Sequence, residues 1–336
     1  MKNSRDVDNV PRLVKDFASY KQTIEGCSAQ TVEQYLSDLK MFFKYVYAIR
    51  NRVAIPSEFY DKIQLSGLDR EFICSVSPEE IYDFFYYLSN VRGNNNATRS
   101  RRLSAVKSFY KYVCQKQRLM EKDPTSNMEG PKKKNSLPKF LTVDESVALL
   151  EAVESDTESK NRERDYAIIT LFLNCGMRLS ELCGINLRDM DRELRSLRVL
   201  GKGNKERIIY LNDSCRSALE RYLLIRREEK YKKINTDALF ISKQYNRISK
   251  KTVQWLVYKY LGLAGLGYKR FSTHKLRHTA ATLMYQTGKV DVRVLKEILG
   301  HEQLNTTQIY THVSNKGMQD AVDSNPLANI KVQKNK

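Results

Sequence analysis

At 336 residues the chain is long for a single hydrophobic core, so two domains are expected. Its 58 Lys and Arg against 39 Asp and Glu give a net charge of +19, which says little about fold but points to a polyanionic partner, nucleic acid first. No apolar run nears membrane-spanning length and the charged N-terminus lacks signal-peptide character; with six cysteines and no C-x-x-C pair, this indicates a soluble cytoplasmic protein with buried thiols rather than disulfides or zinc.

In chain order, Leu13, Phe17 and Tyr20 keep helical spacing, and Val32, Tyr35, Leu36, Leu39, Phe42, Phe43 and Val46 form one stripe over 31–47. Ser77-Pro78-Glu79-Glu80 is a helix start, with a capping hydroxyl, proline in the first turn and Glu80 placed to close a capping box. A further amphipathic helix over 96–113 buries Leu103, Val106, Phe109, Tyr110 and Val113 and turns Arg99, Arg101, Arg102 and Lys107 outward. These belong to an acid-free stretch between Asp83 and Glu121 with eight basic residues. Residues 123–140, with Pro124, Gly130, Pro131, Pro138 and Lys132-Lys133-Lys134, read as a linker, equally a solvated connector or a basic segment crossing a DNA backbone.

Thr142 to Glu145 repeats the capping-box pattern, and helices are expected near 142–154 and 162–175. Residues 196–200 and 206–211 alternate as two strands about the turn Gly201-Lys202-Gly203-Asn204. Helical patterns return near 213–231, 249–264, 273–287, 291–299 and 303–311. A second acid-free stretch, between Asp237 and Asp291, carries ten basic residues, including Lys243, Lys250, Lys251, Lys269 and Arg270. Surfaces usually mix their signs, so the two stretches suggest two faces kept positive for phosphate. The fold class is mainly α: a helical N-terminal domain, then a mixed α/β domain of mostly helices with a small antiparallel sheet.

The chemistry-bearing residues cluster late. All four histidines fall between 274 and 312. There is no Gly-rich phosphate loop opening a helix, and no acidic cluster suited to paired Mg²⁺. His274 and His278 have zinc-pair spacing, but Lys275 stands where a zinc hydrolase keeps its glutamate base and Arg277 would repel the cation. Metal-free phosphoryl transfer suits the set better. Guanidiniums such as those of Arg178 and Arg277 can clamp the equatorial oxygens of a phosphodiester under attack. Imidazoles can donate hydrogen bonds or move protons, a hairpin lysine can protonate a departing oxygen, and a phenol can be the nucleophile.

The stretches Gly176-Met-Arg178-Leu-Ser-Glu181-Leu182, Gly201-Lys202-Gly203-Asn-Lys-Glu-Arg207, Thr273-His274-Lys-Leu-Arg277-His278, Leu299-Gly300-His301 and Ile309-Tyr310-Thr311 resemble the tyrosine recombinase (phage integrase) family, nearest its Xer branch. The resemblance covers roughly 140–315 and extends more loosely to the N-terminal helices. It implies a core-binding domain over 1–122, the basic linker 123–140, a catalytic domain over 141–314, and a tail over 315–336 that docks on a neighbouring protomer. It further implies that Arg178 and Arg277 bind the scissile phosphate. Lys202 is then the general acid, with Lys205 its rival beyond the turn. His274 serves acid–base and phosphate contact, and His301 donates to the phosphate. Tyr310 attacks to give a 3′-phosphotyrosyl link, and Glu181 and His278 support the phosphate-binding groups. His312 has no family role. DNA-binding candidates are Arg99, Arg101, Arg102, Lys107, Lys243, Lys250, Lys251, Lys269 and Arg270.

The implied activity is site-specific recombination of double-stranded DNA by a tetramer on two sites, through a Holliday junction and without cofactor. It serves either chromosome dimer resolution or movement of a mobile element. A further partner, a second recombinase or a cell-division translocase, stays open. Helical pattern beginning near Val10 leaves no room for an added arm-binding domain. The rivals are a type IB topoisomerase, which uses similar chemistry as a monomer without site choice, and a basic DNA-binding protein with a decayed site.

Overall fold

Helices in the first third of the chain form where the apolar stripes place them. A computed structural model describes residues 9–131, 139–201, 205–226, 236–288 and 290–300. The helices are α1 (Arg12–Thr23), α2 (Ala29–Arg50), α3 (Glu58–Lys62), α4 (Arg70–Cys74), α5 (Pro78–Asn90) and α6 (Asn96–Gln115). Ser77 and Glu80 close the expected capping box at α5, and Glu80 also meets Arg50 at 2.6 Å, tying α5 to the end of α2. The core is rich in rings: Phe109 lies 5.5 Å from both Phe17 and Phe43, edge to face, and Phe42 lies 5.2 Å from Phe84. Thr125 and Met128 are also buried in this unit. The five-residue helices α3 and α4 have no counterpart in the sequence reading.

The chain divides into two units, residues 1–135 and 136–336. The second is built around α8 (Arg162–Cys175), which follows α7 (Val143–Glu154). Ala167, Ile168, Ile169, Leu171, Phe172 and Cys175 bury nearly every face of α8, as a helix at the centre of a domain requires. Next come α9 (Leu179–Gly184), β1 (Ser196–Leu200), β2 (Glu206–Tyr210), α10 (Asp213–Arg226), α11 (Lys250–Leu263), α12 (Thr273–Gln286) and α13 (Val292–Leu299). Helices α7, α10 and α12 pack on α8. The strands pair antiparallel from Ser196↔Tyr210 to Leu200↔Glu206, turning Leu197, Val199 and Ile209 into the core. Ala281, Leu295 and Leu299 form a separate small core beneath α13. Among the described residues no helix is long and apolar enough to cross a membrane. The expected helix at 303–311 and the tail over 315–336 lie outside them.

All six cysteines are free. Cys175, Cys183 and Cys215 are buried, the sulfurs of Cys175 and Cys215 are 3.7 Å apart, and Cys27, Cys74 and Cys114 are half-buried.

Candidate active site

Three helix junctions meet at the C-terminal end of α13. Helix α8 ends at Gly176 in the left-handed region, φ +57°, which turns the chain sharply into Met177 and Arg178. A Cβ on Gly176 would stand 2.9 Å from a terminal methyl of Leu299, so any other residue would have to displace that methyl and hold a left-handed backbone as well. Arg178 is the N-cap of α9. Its backbone N–H donates to Glu181 Oε2 at 2.7 Å and its Nη1 donates to Glu181 Oε1 at 2.8 Å.

Arg178, Arg207 and Arg277 each hold one of three consecutive carbonyls. Arg277 Nη2 donates to Leu299 O at 2.6 Å, while its Nη1 holds Gly176 O at 2.8 Å. Arg178 Nη2 donates to Gly300 O at 2.6 Å. Arg207 Nη1 donates to Ile298 O, and its Nη2 donates to Glu181 Oε2 at 2.9 Å. The last carbonyls of a helix have no partner within it and carry its negative end, so cations gather there. Gly300 caps α13 at φ +62°, and a Cβ there would come within 3.0 Å of Arg207 and 3.4 Å of Arg178.

Glu181 is the acid at the centre of this knot, its side chain fully covered. Burial alone would raise its pKa, but hydrogen bonds and charge from Arg207, then Arg178, outweigh burial and hold it below the usual glutamate value. The carboxylate also abuts the hairpin: a Cβ on Gly201 would stand 3.5 Å from Oε1.

On α12, His274, Arg277 and His278 fall at i, i+3 and i+4 and so share a face. The two imidazoles lie 4.5 Å apart, edge to face. Although one side of His274 is open to solvent, crowding by its neighbours lowers its pKa, and the charges of Arg277, Lys275 and Arg178 lower it further. In a DNA-free protein this favours the neutral ring.

Of the residues expected to carry chemistry, the structure gathers Arg178, Glu181, His274, Arg277 and His278. Lys202, His301 and Tyr310 lie outside the described residues, as does His312; Lys205 is exposed where the hairpin closes. Arg207 belongs to the hairpin motif, which by itself assigns it no role. Its signal was one of strand register: it pairs with Val199, whose side chain is buried, so it too turns inward.

The DNA-binding candidates divide by environment. Lys243, Lys250, Lys251 and Arg270 are exposed, and Lys269 pairs with Glu145 at 2.5 Å. In the first unit Lys107 is half-buried, and Arg99 reaches Asn96 at 2.7 Å. Arg101 and Arg102 both converge on Asp38 of α2, which is 3% exposed. Burial raises the Asp38 pKa despite both arginines. The outward basic face of α6 is therefore partly spent on an internal anion, which a count of acids along the sequence could not show.

Residues 139–316 match the family described as the phage integrase family. The chain is 44% identical over 318 residues to "Tyrosine recombinase XerC" of Caldanaerobacter subterraneus subsp. tengcongensis, covering 95% of this chain and 88% of that one. It is 32% identical over 312 residues to "Tyrosine recombinase XerD" of Oceanobacillus iheyensis, covering 93% and 97%. Among solved structures, XerH site-specific recombinase bound to palindromic difH substrate in a post-cleavage complex aligns with a TM-score of 0.68 at 22% identity, over 96% of this chain and 98% of that one. A lambda integrase tetramer bound to a Holliday junction aligns with a TM-score of 0.59 at 16% identity, over 87% and 76%.

Proposed function

The chain belongs to the phage integrase family, and from that membership we propose how its active site works. It is a tyrosine recombinase of the Xer kind, which breaks and rejoins DNA at specific sites without metal or ATP. The topoisomerase alternative is not favoured.

In our reading, Arg178 and Arg277 turn their remaining N–H groups on the two non-bridging oxygens of the scissile phosphate, with His274 and His301 donating beside them. Tyr310 forms the new P–O bond as its phenol passes its proton to the free ring nitrogen of His274. The bond to the 5′ oxygen breaks, and that oxygen takes a proton from Lys202. The product is a 3′-phosphotyrosyl link and a free 5′ hydroxyl. One phosphodiester has been exchanged for another, so the reverse attack rejoins the strand without an energy source. Glu181 and His278 orient the groups that meet the phosphate. The observation that carries this reading is the knot at α13, where Arg178 holds the carbonyl of Gly300 and Arg277 that of Leu299.

Residues 1–122 would bind DNA as a core-binding domain, joined through 123–140 to a catalytic domain over 141–314, with 315–336 docking on the next protomer. A homotetramer on two sites, working through a Holliday junction in the cytoplasm, is the assembly we propose; the lambda integrase arrangement named above supports it.

Tyr310→Phe tests the core of this scheme. A nicked suicide substrate should trap the parent as a covalent adduct on a denaturing gel, and the variant should bind the same DNA without forming one. An adduct on the variant would overturn the assignment.

A further inference from the structure

Arg207 touches neither of the arginines assigned to the phosphate, yet it is placed to govern one of them and the C-terminal end of α13. It spans from β2 to two other elements, through Nη2 to Glu181 Oε2 at 2.9 Å and through Nη1 to the Ile298 carbonyl. Its side chain is 15% exposed, and its Nε is buried without a hydrogen-bond partner. A buried N–H left unpaired is unfavourable, so the side chain is held where it is by its other two contacts. Glu181 is divided between Arg207 and Arg178.

We propose that Arg207 is a positioning residue for DNA cleavage: by occupying one oxygen of Glu181 and anchoring the end of α13, it keeps Arg178 aimed at the phosphate. The proposal rests on the phosphate-clamp roles assigned above. Without Arg207, a fully covered carboxylate retains Arg178 as its cationic partner among the described residues. The attraction then draws the Arg178 guanidinium onto Glu181 and away from the substrate. At the same time the Ile298 carbonyl loses its donor, and the C-terminal turn of α13, with Gly300, is free to shift. Lysine is a poor replacement for the fork, because it lacks the two rigidly spaced nitrogens with which Arg207 reaches Ile298 and Glu181 at once.

The test uses full-length protein, Arg207→Ala and three suicide substrates. One has a normal scissile phosphate, one an uncharged methylphosphonate there, and one a 5′-bridging sulfur that departs without a proton. On the normal substrate cleavage should fall by roughly 100-fold, the scale of losing an aligned donor, with half-site binding kept. On the methylphosphonate, which presents no anionic pair to clamp, variant and parent should differ by only about threefold. The bridging sulfur should leave the deficit intact. Restoration by that sulfur would overturn the proposal, since Arg207 would then act on proton delivery by the hairpin. A deficit undiminished on the methylphosphonate would also overturn it, as loss of the fold alone predicts. If Arg207→Ala fails to bind the half-site, Arg207→Lys carries the same comparison. Failure of the clamp reading itself looks different: Arg178→Ala would then keep its full deficit on the methylphosphonate.

Discussion

His274 links environment to chemistry most directly. Crowding by its neighbours, then the charges of Arg277, Lys275 and Arg178, place its folded pKa below that of a free imidazole. A histidine with a depressed folded value takes up its proton more readily when unfolded. Its contribution to stability is therefore complete above the ordinary value near 6.5 and is lost as pH falls through that value toward the folded one. In DNA-free protein, an NMR titration of the His274 ring should show a midpoint below 6.5, and Lys275→Gln should raise it by removing one of the neighbouring positive charges. Binding a DNA half-site should raise it further, because an adjacent phosphate favours imidazolium. A midpoint indifferent to DNA would place the ring away from the phosphate.

Among the elements, the short connections decide most. The turn at Gly176 lets α8, α12 and α13 meet, and it does so with a positive φ and no room for a methyl group. Gly176→Ala combines left-handed strain with a clash on Leu299, so chemical denaturation should show a loss of at least about 2 kcal/mol. The same variant should cleave poorly, because Arg277 holds the carbonyl of that residue. Much at this scale was legible in the sequence. Capping boxes at Ser77 and Thr142 and the helices starting near them are local patterns, and the structure has both. The hairpin was legible too, from alternation around a glycine turn. What escaped is either short or long-range. Helices α3 and α4, at five residues each, are too brief for a 3.6-residue period to emerge. The pairing of Asp38 with Arg101 and Arg102 spans more than sixty positions, and the reach of Arg207 to Ile298 spans ninety-one, so nothing adjacent in the chain announces them.

For the whole molecule, charge must be sorted into what is spent internally and what is offered outward. Lys250 and Lys251 are both exposed at the start of α11. Replacing the pair with glutamine should flatten the dependence of log affinity on log salt by about 1–2 units, as expected for one or two lost phosphate contacts. An unchanged slope would remove both from the DNA interface. Arg102→Ala should behave differently and lower thermal stability by roughly 2 kcal/mol or more, because it withdraws one cation from a buried carboxylate. Two units with separate large cores also make a single cooperative transition unexpected. The small third core has its own consequence. Among the described residues, Leu295 and Leu299 of helix α13 pack on Ala281 in a cluster of three, with Met284, Tyr285 and Val290 at its margin, so little apolar area resists its lifting away. When it lifts, Ile298, Leu299 and Gly300 leave their arginines together. The backbone amides of α13 should therefore trade hydrogen for deuterium through a local excursion of their own, sooner than those of α8. A DNA half-site, by engaging the arginines, should slow that exchange in α13 and leave α8 unaltered, so that the readiness of the site can be timed by mass spectrometry before any strand is cut.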